Sequence, residues 1–114
     1  MNPIVEEKLI NIQRDFSRYP AGRYRSDGPY NGELFREDIL IPALNKKADK
    51  IRIELDGVRG YNSSFLDEAF GGLVNRGFTV EELLERLQFI SQDKSLIEEI
   101  KGYIKDRASI ATRT

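Results

Sequence analysis

The sequence predicts a two-layer α/β domain: a mostly parallel or mixed sheet of four or five strands, with three or four helices mainly on one face. Three observations carry that prediction. Ile51, Ile53 and Leu55 alternate with Arg52 and Glu54, the period of a strand with one wet face; strands covered on both faces read instead as continuous apolar runs. Apolar residues at i, i+3 and i+4 spacing recur at 33–46, 64–75 and 95–108, between and after the strand-like runs. With 114 residues, 39% hydrophobic and 32% charged, the chain can build one core but not two. A single domain over 1–114 is expected, with 1–7 and 109–114 as frayed ends.

The elements follow in order. From Lys8 to Phe16, Ile10, Ile12 and Phe16 fall on one side and Asn11, Gln13 and Asp15 on the other, which predicts a first strand. Ser17 to Gly32 is rich in turn formers and predicts a long loop, with Arg23-Tyr24-Arg25 as a candidate short strand. Glu33 to Lys46 predicts a helix capped by Asn31 or Gly32. Pro42 lacks an N–H and crowds the preceding turn, so a kink near Asp38 or an early stop is expected.

Asp56-Gly57 ends the strand that begins at Ile51. Ser64 to Asn75 is the next helix, with Phe65, Leu66, Ala69, Phe70, Leu73 and Val74 facing the core and Gly77 as its stop. Gly71-Gly72 costs roughly 1 kcal/mol per glycine relative to alanine, which points to close approach of another backbone. Thr79 to Glu82 has capping-box spacing and opens a short helix; Leu87-Gln88-Phe89-Ile90 is a core strand. Ser95 to Glu98 repeats the capping spacing and opens a final helix along Leu96, Ile97, Ile100, Tyr103, Ile104 and Ala108. Right-handed crossovers make the later strands parallel and leave the first at an edge or in the centre.

Composition narrows the chemistry. The chain has no cysteine and no histidine. That removes disulfides, Ser-His-Asp and Cys-His catalysis and the usual zinc ligand sets, so neither an enzyme, a metal site nor a cofactor is expected. The net charge of -1 gives no global field toward nucleic acid or an anionic membrane, and neither is an expected partner. The start, Met1 to Glu7, carries acid where a targeting peptide carries base, and no apolar run reaches spanning length; a cytoplasmic protein is expected.

From Leu55 to Leu73 a strand runs through a short loop into a helix start rich in hydroxyls. This junction resembles the signature of anti-sigma factor antagonists and STAS domains, a strand followed by an Asp-Ser-Ser-Gly-Leu-like turn that opens a helix. Asn62, Ser63, Ser64, Phe65 and Leu66 occupy the matching places, with Asn62 where aspartate is usual and Phe65 where glycine is usual. The chain as a whole is similar to the STAS-like domain family of unknown function, through Pro20-Ala21-Gly22-Arg23-Tyr24, Gly32-Glu33-x-Phe35-Arg36 and Ser63 to Gly71, over most of residues 8–105.

The resemblance implies the fold of the anti-sigma factor antagonists and a non-enzymatic interaction or switch module. It implies phosphorylation at the position of Ser64, with Ser63 as the second phosphoacceptor candidate, and a protein partner such as a serine kinase or anti-sigma-like ATPase. Tyr61, Asn62, Phe65, Asp67 and Glu68 are the partner-contact candidates. Phosphate on Ser64 would meet like charge from Asp67 and Glu68 on the first turn. The two serines also fit an ordinary helix cap, because Ser64-Phe65-Leu66-Asp67 has the cap spacing, a contribution of about 1 kcal/mol.

Arg18, Arg23 and Arg25, together with Tyr19, Tyr24 and Tyr30, lie in the long loop and are anion-binding candidates, since guanidinium groups and rings grip phosphates and stack on bases. A phosphate- or nucleotide-bearing small ligand in this loop is the alternative function. The plainer reading pairs the arginines with Asp15, Asp27, Glu33 and Glu37 on the surface. If the loop folds over the Ser64 helix start, it would sense what happens there. Asp56, Asp67 and Glu68 do not make a magnesium site on this reading, because adjacent helix residues diverge.

Overall fold

Period-2 runs pair into β1 (Glu7–Asn11), β2 (Lys50–Glu54) and β3 (Leu87–Ile90), a parallel sheet in the order β1-β2-β3. The computed structural model describes residues 7–46 and 48–112. Register aligns Leu9 with Arg52 and Arg52 with Gln88, all exposed, whereas the neighbouring row of Ile10, Ile53 and Phe89 faces the core. The wet face read from the alternation is therefore continuous across the sheet.

Two long helices cover the other face. In α2 (residues 32–45) a π-helical turn, Arg36–Leu40, interrupts the α-helix, and the N–H of Ile41 bonds to the carbonyl of Arg36. This turn lies immediately ahead of Pro42, so the missing N–H is accommodated by a widened turn and the helix continues. In α3 (residues 63–75), a second π turn covers Asp67–Gly71. Gly77, at φ 99°, ends that helix; its N–H bonds to Val74 and that of Phe78 to Leu73. A short helical turn, α1 (Ile12–Asp15), precedes these; α4 (Val80–Arg86) begins at a Thr79 cap and α5 (Lys94–Thr112) closes the chain.

Phe35, Phe65, Phe70, Leu66 and Leu73 from the helices meet Ile10, Ile51, Ile53 and Leu55 from the sheet side, all at most 1% exposed. Such full burial stabilises by about 1.5–3 kcal/mol per side chain.

Several expectations require correction. The sheet has three strands among the described residues, not four or five. Arg23 to Arg25 is not a strand; the loop makes a 3-10 turn at Arg25–Asp27, because the Asp27 carboxylate accepts the N–H groups of Arg23 and Tyr24 and curls the chain on itself. The first strand stops at Asn11, whose side chain caps α1 by accepting the Arg14 N–H at 3.1 Å. Glu7 lies in β1 and residues 109–112 in α5; 1–6 and 113–114 lie outside the described residues. The cap of α5 is Asp93 rather than Ser95, since its carboxylate accepts from the N–H groups of Ser95 and Leu96. No helix of the described residues is long and apolar enough to cross a membrane.

Candidate functional site at the start of the third helix

The loop after β2 brings the chain into α3 at Asn62, and Asn62 is the cap. Its Oδ1 accepts from the Phe65 N–H at 3.0 Å and from the Ser64 hydroxyl at 3.0 Å. Neither serine caps the helix, which corrects the expected Ser64 cap: an asparagine one position before the serine pair takes the orphan N–H first. Ser63 is exposed and Ser64 half-buried, with its hydroxyl bound to the cap. The Tyr61 ring stacks on Phe65 at 6.2 Å and its hydroxyl donates to the Leu55 carbonyl at 2.6 Å. Burial, with the nearby Asp56 and Glu54 carboxylates, pushes the Tyr61 phenol well above its ordinary value, so it stays a donor.

The long loop folds over this helix start. Its two ends are zipped by bonds from the Ala21 N–H to the Tyr30 carbonyl, Gly32 to Gly22 and Glu33 to Arg23, each 2.8–2.9 Å. Asn31, 1% exposed, caps α2 through the Leu34 N–H and donates to the Gly28 carbonyl. Gly32 then lets α2 approach α3 closely, because a Cβ there would lie 2.8 Å from the Phe65 carbonyl oxygen. Rings continue the contact: Tyr30 on Phe16 at 5.7 Å, Phe16 on Phe65 at 6.1 Å.

A charge network fastens the assembly one turn into α3. Asp67 accepts from Arg23 Nη1 at 2.7 Å and from Arg107 Nε at 3.2 Å, while Glu68 accepts from Arg36 Nη1 at 2.7 Å and Arg107 Nη2 at 3.3 Å. Arg36 also donates to the Glu68 carbonyl and to Glu37, which Arg76 shares. The loop, α2, α3 and α5 therefore meet at two carboxylates. Burial alone would raise the Asp67 carboxyl, but hydrogen bonds and charge from Arg23 and Arg107 outweigh it and hold it below the ordinary value. Gly72 makes room for Arg36: a Cβ there would sit 2.3 Å from Nη1. The close neighbour of Gly72 is thus a guanidinium, not the backbone expected; Gly71 does face the Tyr103 carbonyl, 3.2 Å from its would-be Cβ, alongside Asp67 and Arg107.

The sequence-predicted residues divide accordingly. Tyr61, Asn62, Ser63 and Ser64 form one surface. Phe65 and Glu68 do not join it, because Phe65 is 0% exposed in the core and Glu68, 7% exposed, is tied to Arg36 and Arg107. Asp67 faces arginines, so the like-charge opposition expected for a phosphate on Ser64 is already neutralised. Of the anion-binding candidates, Arg23 is committed to Asp67 and Arg25 lies 3.6 Å from Asp38, whereas Arg18 bonds to the Gln13 carboxamide oxygen at 3.0 Å. Asp56 stands apart from Asp67 and Glu68, accepting from Ser91 and Gln92 beside a cleft of about 320 Å³ at the carboxyl ends of β2 and β3. Among the described residues no group of three acidic side chains could hold a metal ion.

Arg107 escaped the sequence reading. It lies 40 residues from its partner Asp67, and local spacing carries no sign of such a pair.

A family model described as a STAS-like domain of unknown function matches residues 31–96, from the cap of α2 through α3 to the first turn of α5. No curated protein and no solved structure gives a significant match.

Proposed function

Because the chain belongs to the family of STAS-like domains of unknown function, we propose that it is a non-enzymatic protein interaction module whose contact surface is the start of α3, Tyr61 to Ser64. The observation that carries this reading is the Arg23–Asp67 bond of 2.7 Å, which closes a separate loop onto that helix start. A surface assembled from two distant segments can change as a unit when one of them is modified.

On this reading Ser64 is the regulatory serine, with Ser63 the second acceptor. Phosphate on Ser64 replaces a hydroxyl donor by acceptor oxygens facing Asn62 Oδ1, and so disturbs the cap as well as the charge that a partner meets. A serine kinase or anti-sigma-like ATPase is the partner class the resemblance implies. The alternative, a phosphate ligand gripped by the loop, is less favoured because two of its three arginines, Arg23 and Arg25, already face carboxylates and only Arg18 is left to grip it.

The test is co-purification with phosphosite mass spectrometry, alongside Ser64→Ala and Ser64→Glu in the cell. The module reading expects a recovered partner whose association differs between the two variants. No partner, with both variants behaving as wild type, would refute it.

A further inference from the structure

Among the described residues every arginine except two lies within 4.0 Å of a carboxylate: Arg14, Arg23, Arg25, Arg36, Arg52, Arg76, Arg86 and Arg107 are all paired. The exceptions are Arg18 and Arg59. They are neighbours, because the Arg59 N–H bonds to the Arg18 carbonyl at 2.9 Å, and both side chains are exposed. Among the described residues Arg18 meets the neutral Gln13 carboxamide oxygen, which takes two of its five donors. Tyr19, next in the chain, is 63% exposed, the most open of the large hydrophobic side chains among the described residues. Arg59 is separated from Tyr61 by one residue, so this patch adjoins the helix start.

We propose that Arg18, Tyr19 and Arg59 form a docking surface for an acidic segment of a protein partner. The inference rests on the interaction-module reading and adds the partner's chemistry. Where every other described guanidinium faces a carboxylate, two that do not, on backbone segments joined by a hydrogen bond, leave a local positive field for a carboxylate-bearing surface. Tyrosine and arginine are also the residue types enriched where binding energy concentrates, since a ring supplies apolar area with few rotatable bonds and a guanidinium supplies directed donors. A protein is favoured over a nucleic acid because the net charge is -1 and the other described arginines face carboxylates instead of extending the pair.

An NMR titration of the isotope-labelled chain tests this, with an oligoglutamate peptide and an oligothymidylate as probes. Oligoglutamate is expected to shift the amides of Arg18, Tyr19 and Arg59, to lose affinity with added salt, and to bind at least about tenfold more weakly to Arg18→Glu and Arg59→Glu. Arg52→Glu, on the open sheet face, should bind as wild type. No shift at these amides, equal binding by the reversed variants, or tighter binding of oligothymidylate at the same amides would each overturn the proposal. The two readings fail separately: a partner recovered undiminished by the Arg18→Glu/Arg59→Glu chain defeats this surface alone, whereas indistinguishable Ser64 variants alongside intact peptide binding defeat only the regulatory serine.

Discussion

Arg23 and Asp67 are 44 residues apart in the chain, and their 2.7 Å bond joins the long loop to α3 one turn past its start. Arg107 reaches the same carboxylate from α5, so the loop and the last helix are held through one side chain.

Removing the loop's half of this bond should loosen the loop without unfolding the domain. Arg23 is 37% exposed in its side chain and Asp67 keeps Arg107, so Arg23→Ala is expected to cost only about 0.5–1 kcal/mol. Hydrogen exchange should show faster amides at Asp27, Gly32 and Glu33 with β2 unchanged. Uniformly faster exchange across the domain would mean the bond is not local in effect.

Gly72→Ala should be far more damaging than a helical glycine substitution ordinarily is. The new methyl would collide with Arg36 and drive its guanidinium from Glu68, leaving a buried carboxylate short of a partner; about 2–4 kcal/mol is expected in urea unfolding. Gly102→Ala is the control: nothing lies within 4 Å of its would-be Cβ, so alanine should stabilise α5 by up to about 1 kcal/mol.

The cap assignment separates neighbouring positions. Asn62→Ala removes the acceptor of the Phe65 N–H and should cost about 1 kcal/mol, whereas Asn62→Asp should retain the cap and Ser64→Ala should be nearly neutral. Thermal unfolding of the three variants decides this; a loss on Ser64→Ala as large as that on Asn62→Ala would return the cap to the serine.

Acid should weaken the junction with a definite sign. The Asp67 carboxyl is held below its ordinary value in the fold, so its contribution is complete above the ordinary carboxylate pKa and disappears as pH falls through the lowered one. Stability of the wild type minus that of Asp67→Asn should therefore be flat near neutrality and shrink only in the acid limb. A difference that shrank while pH rose through neutrality would contradict the pairing.

Much of the fold was legible because its signals are local. The alternation at Ile51, Ile53 and Leu55, the apolar spacing of α2, α3 and α5, and the Thr79 cap all depend on residues within a turn or two. Boundaries failed where two local solutions compete. Ile10, Ile12 and Phe16 fit a continuing strand, yet Asn11 has an aspartate four residues on whose carboxylate accepts the Asn11 N–H at 2.9 Å, and that reciprocal cap ended β1. At 62–64 and 93–95 the sequence offers adjacent capping residues, and the choice falls in each case on the earlier one, Asn62 or Asp93. Arg23-Tyr24-Arg25 suggested a strand, but Asp27 supplied a competing acceptor for its backbone. The hydroxyl-rich junction was readable as the start of a helix; its closure by Arg23, Arg36 and Arg107 was not, since those pairs are set by tertiary packing over 32 to 44 residues.

Hydrogen exchange of the chain alone and with its co-purified partner addresses the central claim most directly. Binding through the helix start predicts new protection of the amides around Arg59 to Phe65, together with the adjoining Arg18-Tyr19 segment. Protection confined to β1 and the exposed row of Leu9, Arg52 and Gln88 would contradict it and make the open face of the sheet the contact surface.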